Sequence, residues 1–354
     1  LPQVKAALEV LQTENWIQLQ EKSGWSIQNN AAQDWNRQKR EINVRPGRIE
    51  EILIETQKEL VAEVGQPTYL GARFPLECSW GSEAVFYGKT DPTRVRLCFH
   101  WTGSKERRTD KDGWIRTSRE QPAMFHWVSG ETGMLEAQVR EKERSVVMQN
   151  RHQAQGQLSP MLQQLLKREV AEEERLLKEI KGGLRKVWLD GVCYFEGTTV
   201  PLTGSTFDEA LRAGVESKLG QLFHKFKQGH LSIPDSSFQQ LLTKETGGLD
   251  LVFLDNERGL GIAQNDAGKI VFRSTGPVPD EVFRLIEERG FCTGERLLQD
   301  FGKPPYGYSP LVVKASVVGL LRAGRIRINA TITSIQDPGC RAVFEQHKEF
   351  CRAQ

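Results

Sequence analysis

Apolar residues recur with a helical period over much of this chain, and with a period of two over a few short stretches. The strongest helical pattern runs over 131–186. A first arm carries Leu135, Val139 and Val146 among many charges, and Gly156 with Ser159-Pro160 breaks it. A second arm carries Leu162, Leu166, Val170, Leu177, Ile180 and Leu184, near the 3–4 spacing of a coiled-coil seam. The spacing predicts a long antiparallel helical hairpin with Glu and Lys on its solvated face. Helices are also predicted over Pro2–Leu11, from Asn29 or Asn30 through Ile42, over 47–64, over 206–226 and over Asp280–Arg289.

Period-two stretches are shorter. Glu83–Tyr87, Arg94–His100 and Ala123–Val128 read as strands of a small β-rich domain, with Asp112-Gly113 as a turn between them. Val192–Gly197 reads as a further strand. Leu260–Ala263 and Lys269–Phe272 form a predicted hairpin turning at Asn265–Gly268. Near the N-terminus, Trp16–Gln20 and Trp25–Gln28 alternate across Lys22-Ser23-Gly24, between two helical patterns. That order is the second half of a winged helix.

A fuller version lies at 293–328. Leu297, Leu298 and Phe301 sit at helical spacing, Gly302 ends the helix, and Pro304-Pro305 with Gly307 stiffen a connection. Ser309-Pro310 is an N-cap followed by a first-turn proline. Val313, Val317, Leu320 and Leu321 give the next helix an apolar stripe, Gly324 stops it, and Arg325-Ile326-Arg327-Ile328 alternates like a strand. The expected fold class is therefore α+β and multidomain, with winged-helix modules at both ends and a β-rich domain and a coiled-coil hairpin between them. The boundaries are a partial winged helix over 1–45, a β-rich domain with a leading helix over 46–130, and the hairpin over 131–188. A mixed α/β segment follows over 189–276, then a C-terminal winged helix over 277–354.

Composition narrows the chemistry. The 354 residues are 38% hydrophobic, enough for two or more cores, and no run approaches a membrane span, so a soluble cytoplasmic protein is expected. The first residue is Leu1, inside a helical pattern, which suggests a piece of a longer protein. With 48 basic and 46 acidic residues the net charge is only +2, so any phosphate contact must come from local patches. The candidates are Lys303, Lys314, Arg322, Arg325 and Arg327 in the C-terminal module, and Lys5, Lys22 and Arg40 in the N-terminal one.

Enzyme motifs are missing. Gly261 to Lys269 has a six-residue gap where a Walker A loop needs four, and Ile270 stands where Ser or Thr would hold magnesium. The six cysteines are scattered without a CxxC pair, and the six histidines make no HExxH. Cys98 and His100 face one side of a predicted strand, but with no second pair in view they read as buried core. No catalytic residue, metal or cofactor is expected in this chain.

Phe301-Gly-Lys-Pro-Pro-Tyr-Gly-Tyr308, Leu320-Leu-Arg-Ala-Gly324, and Asp337-Pro338 followed by Phe344 and Phe350 resemble the C-terminal region of the BrxC/PglY family. These are P-loop ATPases of bacterial BREX and phage-growth-limitation defence. The family commonly has Trp where this chain has Tyr308. Asp34-Trp35 and Arg40-Glu41-Ile42 resemble the module that follows the ATPase core there. The resemblance implies a bacterial cytoplasmic role in excluding phage, alongside a methyltransferase and other BREX subunits. ATP and magnesium would bind only to the ATPase region that this chain lacks. The motif turn would be Pro304, Pro305, Tyr306, Gly307 and Tyr308. The expected function is a non-catalytic region contacting duplex DNA, partner subunits, or both. The alternative is a structural docking or homo-oligomerising region without DNA contact.

Overall fold

The five segments read from the sequence are shared between two compact units: Leu1–Gly65, Cys78–Gly88 and Leu97–Gly214 in the first, Gln66–Glu77, Lys89–Arg96 and Val215–Gln354 in the second. The computed structural model describes residues 30–81, 85–103, 105–153, 158–243, 249–254 and 259–354, the backbone of 17–20 and 24–27, and positions 4, 7, 8, 10 and 11. The protein is mixed α+β, and no helix among the described residues is long and apolar enough to cross a membrane.

The first unit opens with antiparallel strands β1 (Ile17–Gln20) and β2 (Gly24–Ile27), followed by helix α1 (Asn30–Glu41). Half of the predicted Pro2–Leu11 helix lies outside the described residues, its described positions 4, 7, 8, 10 and 11 being helical; Lys5 and Lys22 also lie outside them. Helix α2 (Pro46–Glu63) buries Ile49, Ile52, Leu53, Leu60 and Val61. A two-strand turn, β3 (Thr68–Tyr69) and β4 (Ala72–Arg73), belongs to the second unit.

Six strands make the main sheet: β5 (Leu76–Trp80), β6 (Val85–Tyr87), β7 (Val95–His100), β8 (Met124–Val128), β9 (Val192–Phe195) and β10 (Thr198–Val200). Their order is β10-β9-β8-β7-β5-β6. Strands β8, β9 and β10 pair antiparallel. The Ser129 N–H donates to His100 O, so the C-terminal ends of β7 and β8 meet and the two run the same way. That crossover needs intervening chain, supplied by α3 (Lys105–Thr109) and α4 (Lys111–Glu120). The expected Asp112-Gly113 turn is thus the start of a helix. Asp110 caps it by accepting from the Gly113 N–H at 2.9 Å, and a Cβ at Gly113 would lie 2.1 Å from the same carboxylate. Glycine is what lets this cap fold back. Asp110→Ala is expected to cost about 1 kcal/mol in chemical denaturation.

The predicted hairpin forms as α5 (Leu135–Gln153) and α6 (Pro160–Leu189), but its seam is rotated. The α6 face that is buried carries Leu165, Glu169, Leu176, Ile180 and Leu184, while Val170 is 37% exposed and Leu162, Leu166 and Leu177 are half-buried. The cause is additional partners. Helix α1 reaches α6 through Trp35 and Lys39, and α2 reaches it through Gln57, which accepts from the Trp188 indole at 2.7 Å. Four helices share a core that two alone would have formed along a narrower stripe. The Trp127 indole donates to Trp188 O, tying that core to the sheet.

Helix α7 (Phe207–Leu222) contains the boundary between the units. The second unit continues with α8 (Phe226–Gly229), α9 (Asp235–Leu241) and the hairpin β11 (Ala263–Asp266) and β12 (Lys269–Phe272). Its turn is Ala267-Gly268, both at positive φ, with Asn265 Oδ1 accepting from the Gly268 N–H at 3.0 Å. The tempting phosphate loop is therefore a hairpin. Helices α10 (Pro277–Arg289), α11 (Gly294–Gly302), α12 (Pro310–Arg322), α13 (Cys340–Glu345) and α14 (His347–Arg352) complete the unit.

Candidate functional site

Thr293 caps α11 by accepting from the Arg296 N–H, and Ser309 caps α12 by accepting from the Val312 N–H, with Pro310 at the first helical position. The start at Ser309-Pro310 follows from the sequence, and Thr293 caps by the same chemistry. The surroundings of α12 do not follow from it. Every residue from Val312 to Leu321 is buried, including Lys314 and Ser316. A helix enclosed on all sides is a core helix and cannot present a face to a DNA groove. The following Arg325–Ile328 is not a strand. One antiparallel bridge, Ile328 to Ile332, closes a tight loop in place of a wing.

The basic candidates divide accordingly. Lys314 donates to Phe344 O at 3.2 Å and lies 5.1 Å from the Phe350 ring centre; burial holds its pKa below the ordinary value. Arg322 donates to Leu241 O and Thr243 O and stacks 3.9 Å from the centre of Phe272, and burial lowers its pKa too. Arg325 donates to Ser274 O, pairs with Asp280 and stacks on Phe283 at 3.8 Å. Lys303 lies 2.6 Å from Asp300, whose carboxylate also holds Arg289 and Arg296. These four side chains fasten the unit together. Arg327 is exposed and makes no ion pair or hydrogen bond among the described residues. Arg40 is exposed at the end of α1, in the other unit.

The motif turn is also internal. Tyr308 is 3% exposed, stacks parallel to Phe301 at 6.0 Å and donates its hydroxyl to Lys225 O. Tyr306 packs on Phe301 at 4.7 Å. Pro305 O accepts from the Lys225 N–H, and Gly307 takes φ 68° beside Phe223. This turn seats α8 against the start of α12.

Beside Arg327 lies a feature the sequence reading missed, a cavity of about 860 Å³. Its walls are chiefly apolar: Phe283 and Ile286 from α10, Leu297 from α11, Ile326 and Phe350. Phe291 stands at the rim, 70% exposed, in the link that Gly290 opens at φ 74°. The volume falls in the range of ligand-binding clefts, about 300–1,000 Å³, and has room for more than one large side chain. The only sequence signal was Phe291 itself, an aromatic next to a helix-ending glycine.

A second cluster lies in the first unit. Cys98 and His100 project from β7 on one side, as their spacing predicts, and β8 brings His126 beside them. His100 Nε2 and His126 Nδ1 are 3.0 Å apart, and the Cys98 thiol donates to Gly81 O at 2.8 Å. Cys98 and His126 are buried, and His100 is half-buried against Trp114. Burial, with His126 and Arg107 adding to it, pushes the His100 pKa down to about 3, so its imidazole is neutral. Burial also pushes the Cys98 thiol up. His126 was legible only as one residue of a predicted strand. Its place beside His100 depends on strand register.

No family model, curated protein or solved structure matches this chain.

Proposed function

We propose that the chain is a protein-docking region of a multisubunit assembly, of the kind a BREX-type defence ATPase would need beyond its motor core. The observation that supports this most is the apolar cavity of the second unit, with the exposed Phe291 at its rim and beside it the exposed Arg327, which has no partner among the described residues. Exposed aromatics and arginines bordering an apolar pocket make up the usual centre of a protein interface. The occupant is an acidic segment of a partner subunit carrying one or two large apolar anchors. The apolar walls would take the anchors, and the Arg327 guanidinium a carboxylate. Duplex DNA is the weaker reading, because four of the five C-terminal basic candidates are engaged within their own unit. The resemblance to BrxC/PglY supplies the candidate partners: the system's methyltransferase and its other subunits.

The test is co-purification of the full chain with each candidate subunit, alongside duplex-DNA titration at two salt concentrations. One subunit is expected to be captured, and Phe291→Asp or Arg327→Glu is expected to weaken that capture at least about tenfold. DNA affinity is expected to stay in the non-specific range, about 10⁻⁴–10⁻⁶ M at physiological salt. Tight, salt-steep DNA binding that Arg327→Ala weakens, with no subunit captured, would overturn the reading.

A further inference from the structure

The geometry points to a transition-metal site formed by Cys98, His100 and His126, with zinc as the ion that its donors suit best. Three strong ligands from two neighbouring strands meet on one side of the sheet, and their ligating atoms all lie within 4.8 Å of one another. Tetrahedral zinc, with bonds of about 2.3 Å to sulfur and 2.0–2.1 Å to nitrogen, places its ligand atoms about 3.3–3.6 Å apart. The two histidine nitrogens, 3.0 Å apart, need to open only slightly, and the thiol needs to close by about 1.2 Å at most. Side-chain rotation supplies such shifts without moving the strands.

The donor set selects the ion class. One thiolate and two imidazoles suit zinc and its first-row neighbours, whereas calcium and magnesium need oxygen ligands. The position matches too, because β7 and β8 run parallel and His100 is the last residue of β7. Crevices at the carboxyl ends of parallel strands are where open α/β sheets hold ligands. His100 is half-buried while Cys98 and His126 are buried, which gives the ion an entry path and leaves its fourth position to water.

Proton balance is simple. The Cys98 thiol releases its proton to solvent and gives up its bond to Gly81 O. The proton between the two rings moves to the far nitrogen of the ring that carried it, so both facing nitrogens bind the metal. One proton leaves per ion bound.

A core reading needs no metal, since the two rings already bond to each other and the thiol to a carbonyl. Titration of the EDTA-stripped full chain with Zn²⁺, and separately with Co²⁺ as a spectroscopic stand-in, separates the two. We expect one ion per chain and a thiolate-to-cobalt charge-transfer band in the wild-type chain, a readout that needs no variant. Cys98→Ser should abolish the band and weaken zinc by more than the about 10–100-fold that losing a supporting residue costs. Cys351→Ser, a thiol in the other unit, should keep both. No charge-transfer band in the wild-type chain, or one unchanged in Cys98→Ser, would overturn the site.

Discussion

Lys39→Met is expected to destabilise the first unit by about 3–5 kcal/mol, while the double variant Lys39→Met/Glu169→Met recovers most of that loss. The Lys39 ammonium lies 2.8 Å from Glu169 Oε2, 2.9 Å from Glu141 Oε1 and 2.8 Å from Ser145 Oγ, and both Lys39 and Glu169 are 8% exposed. The Trp35 indole donates to the other Glu169 oxygen at 3.0 Å. Removing the ammonium strands a carboxylate among apolar helices, where solvation by water is lost. Removing both charges leaves neither stranded, and two methionines fill similar space. Urea unfolding of the wild type, both single variants and the double variant checks this. A double variant no better than Lys39→Met would refute it.

The pair also sets a pH window. Burial alone would raise the Glu169 pKa, but bonds and charge from Lys39, with Trp35 and Ser145, outweigh it and hold the group below its ordinary 4.5. Burial likewise opposes the Lys39 charge, and Glu169 and Glu141 overcome it to hold that pKa above 10.5. The carboxylate's contribution is present above pH 4.5 and is lost as pH falls through the lower folded value. The ammonium's contribution is present below pH 10.5 and is lost as pH rises through the higher one. The stability gap between wild type and double variant should therefore be flat between these limits and change outside them.

Gly294→Ala is expected to cost the second unit about 3 kcal/mol and to close or distort the apolar cavity. Gly294 begins α11, its N–H donates to Ala353 O at 3.0 Å, and an added Cβ would lie 2.0 Å from Phe350 O. That neighbour is backbone, so no side chain can swing aside. Separating α11 from α14 would unseat Phe350, whose ring packs on Phe344 at 5.9 Å and beneath the Lys314 ammonium. Gly290→Ala is the control. It meets nothing within 4 Å but sits at φ 74°, so it should cost only the about 1–2 kcal/mol of a left-handed alanine. Chemical denaturation of both variants, with partner capture as a second readout, decides it. Equal losses would show that the close approach to Phe350 is not limiting.

Local signals carried far along this chain. Ser309-Pro310 starts a helix where capping chemistry predicts, and Asn265–Gly268 turns a hairpin. Asp112-Gly113 misled because the pair carries the same letters in a turn and in the first turn of a helix. Asp110, two residues before Asp112, decides between them by its cap. The α6 seam misled for another reason. Heptad spacing describes a two-helix contact, but α1 and α2 also pack here, which turns Glu169 inward and Val170 outward.

By itself, the sequence determined the long helical hairpin, several other helices and strands, and that no familiar catalytic motif is present, though not α3, α4, β5 or the irregular course of Arg325–Ile328. Those features depend on residues a few positions apart, which the chain order records directly. Tertiary structure alone decided that α12 is enclosed and its lysine internal, that Phe291 and Arg327 border one cavity, and that His126 joins Cys98 and His100. Each of these is a meeting of side chains distant in the chain, fixed by strand register and helix packing, which hydrophobic spacing along a single element does not encode.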